Sequence, residues 1–328
     1  MLDKSNMRQI IIDSANQLKT GLELAKGIKT EGSFKNIIIC GVGGSALPAN
    51  VLNAVAKPNI PVFSHRDYGL PFFADKNSLI ICISYSGNTE ETISALKEAT
   101  TKNLKIIGFA SGGKIENLCK EGNIPLVKIP AGIQPRCATG YIASSLIGVL
   151  ENSGIIEDMS ADFSETSKKL TEIILPMEKE GKKLAKKLNK KIPIIYASNS
   201  FKAVARIWKI KFNENSKTPA FHNYFPELNH NEMVGFSELL KNNKYHFIII
   251  KDKNDNPRNL KRMDLFASLL KKKGSKIDFV ETKDGSMLFK VFSTLLLGDW
   301  VSYYLALQCK IDPTPVKMVE EFKKLMEK

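Results

Sequence analysis

The chain has 328 residues, 43% hydrophobic and 25% charged, with 48 Lys and Arg against 34 Asp and Glu and a net charge of +14. That length suits two domains at roughly 100–200 residues each, the composition suits a packed core, and no apolar run approaches the ~18 residues that cross a bilayer. The lysine excess lies on helix-like stretches such as "EKEGKKLAKKLNKK" (178–191) and reads as a solvated face, with no helix-turn-helix, zinc-finger or RNP pattern to turn the charge toward nucleic acid. The N-terminus, "MLDKSNMRQI", has no basic-then-apolar leader. The five cysteines (Cys40, Cys82, Cys119, Cys137 and Cys309) form no C-x-x-C or Cys/His cluster. We therefore expect a cytoplasmic protein with free thiols and no metal site.

In chain order, short apolar runs alternate with helical patterns. "NIIIC" (36–40) predicts a strand, followed by the turn "GVGGS" and a helix over "ALPANVLNAVA" (46–56). "IPVFSH" (60–65) and "SLIICIS" (78–84) predict two more strands. "TEETISALKEATTK" (89–102) predicts a helix, with Asn88 placed three residues before Glu91 at capping-box spacing. "KIIGFA" (105–110) and "IPLVKIP" (124–130) are strands, and "ATGYIASSLIGVLE" (138–151) is a buried helix. Residues 152–165 break the pattern and read as a linker, which divides the chain into domains over 1–152 and 153–328. Beyond a Lys/Glu helix (about 166–190), strands are expected at 192–198, 246–252 and 275–282. Helices are expected at 201–214, 259–273, 288–309 and 314–328. Continuous apolar strands separated by helices predict an α/β fold with parallel sheets covered on both faces.

Four stretches carry the residues suited to chemistry. Gly41, Gly43, Gly44 and Ser45 follow the first strand, and Ser84, Ser86 and Thr89 follow the third. Strand ends of open parallel sheets are where ligands bind, and helix N-termini there offer unpaired N–H groups and a positive pole to a phosphate. The alternative is that these hydroxyls merely cap helices. "GVGGS" is no Walker motif and only a partial G-x-G-x-x-G, with Ala46 at its last position, so a dinucleotide stays open on this turn alone. Arg136, in "AGIQPRCATGY" (131–141), is either a surface residue or a cation for developing negative charge. In "KFNENSKTPAFHNYFPELNHNEMVGF" (211–236), Glu214 and His230 stand among asparagines that supply hydrogen bonds without cancelling charge, a carboxylate and an imidazole suited to base and acid roles. His222 is a weaker second, and a metal site from His222, His230 and Glu232 lacks a third well-spaced ligand.

"GVGGSA", "ISYSGNTEET", "QPRCATGY", "FNENSKTPAF", "PELNHNE" and "LGDWVSYYLAL…DPTPV" occur in this order across nearly the whole chain. Together they resemble the bifunctional phosphoglucose/phosphomannose isomerases, members of the phosphoglucose isomerase superfamily with two sugar-isomerase (SIS) domains. The sequence departs from the family where "LPANVL" follows "GGSA" in place of a glycine-rich segment. The resemblance implies two SIS-type α-β-α sandwiches with the active site between them. It implies that Gly44, Ser45, Ser84, Ser86 and Thr89 bind the sugar phosphate and that Arg136 stabilises the intermediate. Glu214 would move the proton, and His230 would assist ring opening from the partner subunit of a homodimer. A C-terminal lysine, Lys323 or the adjacent Lys324, would take part, and Thr314 would help shape the sugar pocket. The implied reaction interconverts glucose 6-phosphate or mannose 6-phosphate with fructose 6-phosphate through a cis-enediol, with a small-molecule sugar phosphate as partner. It implies no metal, organic cofactor, nucleic acid or membrane. Two alternatives remain: another SIS-domain sugar-phosphate isomerase, and a non-catalytic sugar-phosphate sensor.

Overall fold

Two all-parallel sheets organise the chain in a computed structural model that describes residues 2–56, 58–238 and 244–326. Helices α1 (Met7–Ile12) and α2 (Asn16–Ala25) come first. They are followed by β1 (Asn36–Cys40), α3 (Leu47–Val55), β2 (Val62–His65), β3 (Ser78–Ser84), α4 (Glu90–Thr101), β4 (Lys105–Ala110), α5 (Gly113–Glu121), β5 (Leu126–Lys128) and α6 (Thr139–Asn152). The long α7 (Ser160–Lys187) leads to β6 (Ile192–Ser198), α8 (Lys202–Asn215), β7 (Phe221–Phe225), α9 (Glu232–Gly235), β8 (Tyr245–Lys251), α10 (Pro257–Lys272) and β9 (Lys276–Glu281). Helices α11 (Met287–Gln308) and α12 (Lys317–Met326) close the described chain; residues 327 and 328 of the expected last helix lie outside the described residues.

The strand order is β2-β1-β3-β4-β5 in the first sheet and β7-β6-β8-β9 in the second. Strand β3 is buried at all seven positions, which requires cover on both faces and explains its unbroken apolar run. On one face Ile38, Ile80 and Ile106 pack against Ala95 and Leu96 of α4 and Ile115 and Cys119 of α5. In the second sheet Tyr196, Phe225, Phe247 and Phe266 form an aromatic core cluster, closed by edge-to-face contacts.

Five elements go beyond the sequence expectation: α1, α2, α5, α9 and β7. Helix α2 packs on α6 through a seam of small residues. A Cβ on Gly21 would meet Ser144 Oγ at 1.9 Å, one on Gly140 would meet Gln17 Cβ at 2.7 Å, and one on Gly148 would meet Ala25 Cβ at 2.9 Å. Strand β7, "FHNYF", lies at a sheet edge with Phe221 exposed and Phe225 buried, so its apolar signal is slight.

By backbone contact the chain forms two units. One comprises Asp13–Thr171 with Ser286–Leu288; the other comprises Met1–Ile12, Glu172–Gly285 and Phe289–Lys328. The boundary thus falls inside α7 instead of in the 152–165 stretch, and the first residues belong with the second sheet. The physical reason is local. Ser167 Oγ donates to Ala15 O at 2.8 Å within the first unit. In the second, Arg8 grips Glu178 with Nε at 2.7 Å and Nη2 at 2.8 Å, and Tyr303 Oη donates to Asp3 at 3.1 Å. No helix among the described residues is long and apolar enough to cross a membrane.

Candidate active site

In the first unit, three chain segments meet at the carboxyl ends of β1 and β3. After β1, Gly43 takes φ +55° and residues 43–46 form a 3-10 turn that leads into α3. Gly44 lies against the Arg136 turn: a Cβ there would stand 2.8 Å from Arg136 N and 3.0 Å from Pro135 C. Only a glycine permits that approach. Ser45 Oγ accepts the Tyr85 N–H at 3.0 Å, joining this turn to the end of β3. Tyr85 Oη in turn donates to Pro130 O at 2.9 Å and accepts the Ile133 N–H at 3.2 Å, which fixes the segment leading to Arg136. Arg136 itself is 1% exposed, with Nη1 donating to Gln134 Oε1 at 3.1 Å. Arg136 is therefore enclosed in its Pro-bounded turn and is not spread on the surface.

The turn after β3 is equally constrained. Ser84 is fully buried and its Oγ donates to Thr89 Oγ1 at 2.9 Å, while Ser86 is exposed and Thr89 half-buried. Ser84 would have to turn its hydroxyl away from Thr89 to reach a ligand. Asn88 does not cap α4 as its spacing suggests. Thr89 is the N-cap of α4, without a side-chain cap bond, and Asn88 Oδ1 instead accepts the Lys114 N–H of α5 at 3.1 Å. The capping signal was real but its target lay on another helix.

In the second unit, Glu214 stands in the last turn of α8, half-buried. It lines a cavity of about 810 Å³ with Lys217, Thr218, Asp312, Val316, Lys317 and others. Its flanking asparagines do more than surround the carboxylate: Asn213 Nδ2 donates to Thr218 O at 2.9 Å and Asn215 Nδ2 to Ser302 Oγ at 2.9 Å, fastening the helix end. Lys217, at φ +51°, donates to the carbonyls of Asn215, Asp312 and Pro313 at 2.9–3.2 Å. This holds the "DPTPV" segment, with the Thr314 N–H on Asp312 Oδ1 at 3.0 Å, against the end of α8.

His230 and Lys323 stand apart from that cavity. His230 is exposed on the 3-10 turn Glu227–His230, and Lys323 and Lys324 are exposed on α12, whose first residues alone line the cavity. His222 lines a different hollow of about 420 Å³ with Lys209 and Glu232, and burial, followed by the charges of Arg206 and Lys209, lowers its pKa. Among the described residues, no group of three His, Cys, Asp or Glu is placed to hold a metal ion. Sequence reasoning passed over Tyr85, Lys217 and Tyr196, whose roles depend on partners far away along the chain.

Residues 177–326 match the family described as the bacterial phospho-glucose isomerase C-terminal SIS domain. A bifunctional phosphoglucose/phosphomannose isomerase of Caldicellulosiruptor bescii is 38% identical over 97% of this chain and 98% of its own. A D-glucosamine-6-phosphate 4-epimerase of Sulfolobus acidocaldarius is 28% identical over 90% of this chain and 91% of its own. Among solved structures, a hypothetical protein of Thermus thermophilus superposes with a TM-score of 0.73 at 13% identity, over 97% of this chain and 89% of that one.

Proposed function

The chain belongs to the bifunctional phosphoglucose/phosphomannose isomerase family, and we propose that it interconverts glucose 6-phosphate and mannose 6-phosphate with fructose 6-phosphate. The two aldoses differ only at carbon 2, so both collapse to one cis-enediol, and a site that returns the proton to either face serves both. Glu214 takes the proton from carbon 2 and delivers it to carbon 1. Arg136 faces the enediolate oxygen with a permanent charge. Ser86 and Thr89 meet the phosphate, with Ser84 beneath them and Gly44 and Ser45 on the neighbouring turn, where backbone N–H groups at helix starts favour an anion. His230 and a C-terminal lysine, Lys323 or Lys324, open the sugar ring, and Thr314 shapes the pocket. These steps need no metal and no organic cofactor.

One observation carries the reading: the glycine turn that would receive the phosphate is packed directly on the backbone of the arginine that would receive the developing charge. The reading includes a homodimer in which His230 serves the partner's site; its exposure, away from the Glu214 cavity, supports that. It also includes a cytoplasmic location, with which the five free thiols agree.

The test is a coupled assay on purified, chelator-treated protein. It follows fructose 6-phosphate formation from each aldose, beside Glu214→Gln. Turnover of both sugars, lost in the variant, is the expected result. Turnover of one narrows the specificity. No turnover of either by folded protein, with epimerisation of an amino-sugar phosphate in its place, would replace the isomerase reading.

A further inference from the structure

Glu232 sits where two strands converge on one carboxylate. Tyr196 of β6 and Asn223 of β7 are register partners. Tyr196 Oη donates to Glu232 Oε1 at 2.5 Å, and Asn223 Nδ2 donates to Oε2. Tyr196 is fully buried, and burial together with the adjacent carboxylate raises its pKa so far that it remains a donor at any working pH. Asn231 closes the turn: its Oδ1 accepts the Glu232 N–H at 2.5 Å and its Nδ2 donates to Glu227 at 2.7 Å. On the other side of His230, Leu228 is buried in the aromatic core beside Tyr196 and Phe225. The segment is therefore pinned at 228 and at 232, and the exposed His230 is held between the pins.

We propose that Glu232 is a positioning residue for His230, and that the Tyr196–Glu232–Asn223 clamp fixes the direction in which the imidazole is presented to the sugar ring. The inference rests on the reading of His230 as a ring-opening residue. A carboxylate is a costly way merely to attach a surface turn, since its desolvation must be offset and an apolar side chain would attach it too. What a two-oxygen acceptor between two fixed donors adds is orientation. A group that transfers a proton needs that orientation within a fraction of an ångström.

The test uses the full chain with Glu232→Gln, the gentler Tyr196→Phe, His230→Ala and the double variant Glu232→Gln/His230→Ala. With cyclic glucose 6-phosphate, kcat should fall at least tenfold in Glu232→Gln and Tyr196→Phe, with KM within about twofold. The double variant should be no slower than His230→Ala, because the clamp acts only through His230. Multiplied losses in the double variant would overturn the proposal. Wild-type kcat in His230→Ala would remove the ring-opening reading and the proposal with it, while leaving the clamp itself measurable. That second readout is amide hydrogen exchange over residues 227–236. Glu232→Gln should speed it at least tenfold with the global Tm nearly unchanged, and unaltered exchange would overturn the clamp whatever the kinetics.

Discussion

Asn88 Oδ1 accepts the backbone N–H of Lys114 at 3.1 Å, which fastens the turn after β3 to the first turn of α5. Beside it, Gly87 takes φ +71° and lies so near residues 112–113 that a Cβ would come within 1.7 Å of Gly112 O. Ser111 adds a third tie, with its N–H and Oγ both on Tyr85 O, at 2.9 and 2.5 Å. Ser86 and Thr89 are thus carried on a turn whose shape is set by a neighbouring turn.

Gly87→Ala meets both a backbone clash and a left-handed φ, so it should cost on the order of 2–4 kcal/mol and displace the hydroxyls. Asn88→Ala loses only the cap and should cost about 1 kcal/mol. Thermal melts give the stabilities. KM for glucose 6-phosphate should rise most in Gly87→Ala and in Ser86→Ala/Thr89→Ala, with kcat changed far less. An unchanged KM in the double hydroxyl variant would sink the phosphate assignment.

Gly44→Ala probes the other half of this site. Its methyl would press on Arg136 N at 2.8 Å and move the arginine without altering its charge. A misplacement near 1 Å costs about 100-fold in rate, so kcat should fall by roughly that factor while substrate still binds. Arg136→Lys should not match wild type, because an ammonium lacks the planar fork. Wild-type kcat in Gly44→Ala would separate Arg136 from the chemistry.

The pH dependence of stability should carry the mark of His246. Its Nε2 lies 2.8 Å from Asp278 Oδ2, yet burial outweighs that carboxylate and lowers its pKa below the ordinary 6.5. The unfolded chain then binds more protons than the folded one just below pH 6.5, so stability falls as pH drops through that range and recovers as it rises. His222 shifts the same way. Asp278 acts lower: burial raises its pKa, but Lys187 and His246 more than offset this, so its stabilisation is lost only below the ordinary 3.8. His246→Gln should lower Tm at pH 7.5 yet lose less on going to pH 5.5 than wild type. Parallel Tm curves would remove His246 as the source.

What the sequence made legible was whatever one segment decides alone. Strands β1, β3, β4, β6 and β8 announce themselves by apolar runs because both faces are covered, while edge strand β7 does not, and the two glycine–hydroxyl turns are visible because a backbone turn writes its own residues. Helix α5 was missed because only Ile115 and Cys119 of its nine residues are buried, too few for a period. Helix α2 was missed because its contact with α6 uses glycine and serine, not large apolar residues. Asn88 was misassigned because a cap reads the same whichever helix it serves. The clamp on Glu232 and the approach of Gly44 to Arg136 join residues far apart in the chain, and no local pattern encodes them.

Lys217 offers a case in which backbone strain and bonding pull in opposite directions. Its φ of +51° is unfavourable for a side chain with a Cβ, and its ammonium offsets this by bridging three carbonyls on two segments. Lys217→Met keeps the strain and loses the bridge; Lys217→Gly loses both. If strain dominated, the glycine variant would be at least as stable as wild type. Because the bridge satisfies the last carbonyl of α8, on Asn215, and holds the cavity wall beside Glu214, both variants should be less stable, by about 1 kcal/mol for an exposed ammonium, with methionine the worse of the two. Hydrogen exchange over 311–319 should quicken in both, and kcat should fall with it if the wall fixes the substrate over Glu214. A glycine variant as stable and as active as wild type would make Lys217 a tolerated strain and nothing more.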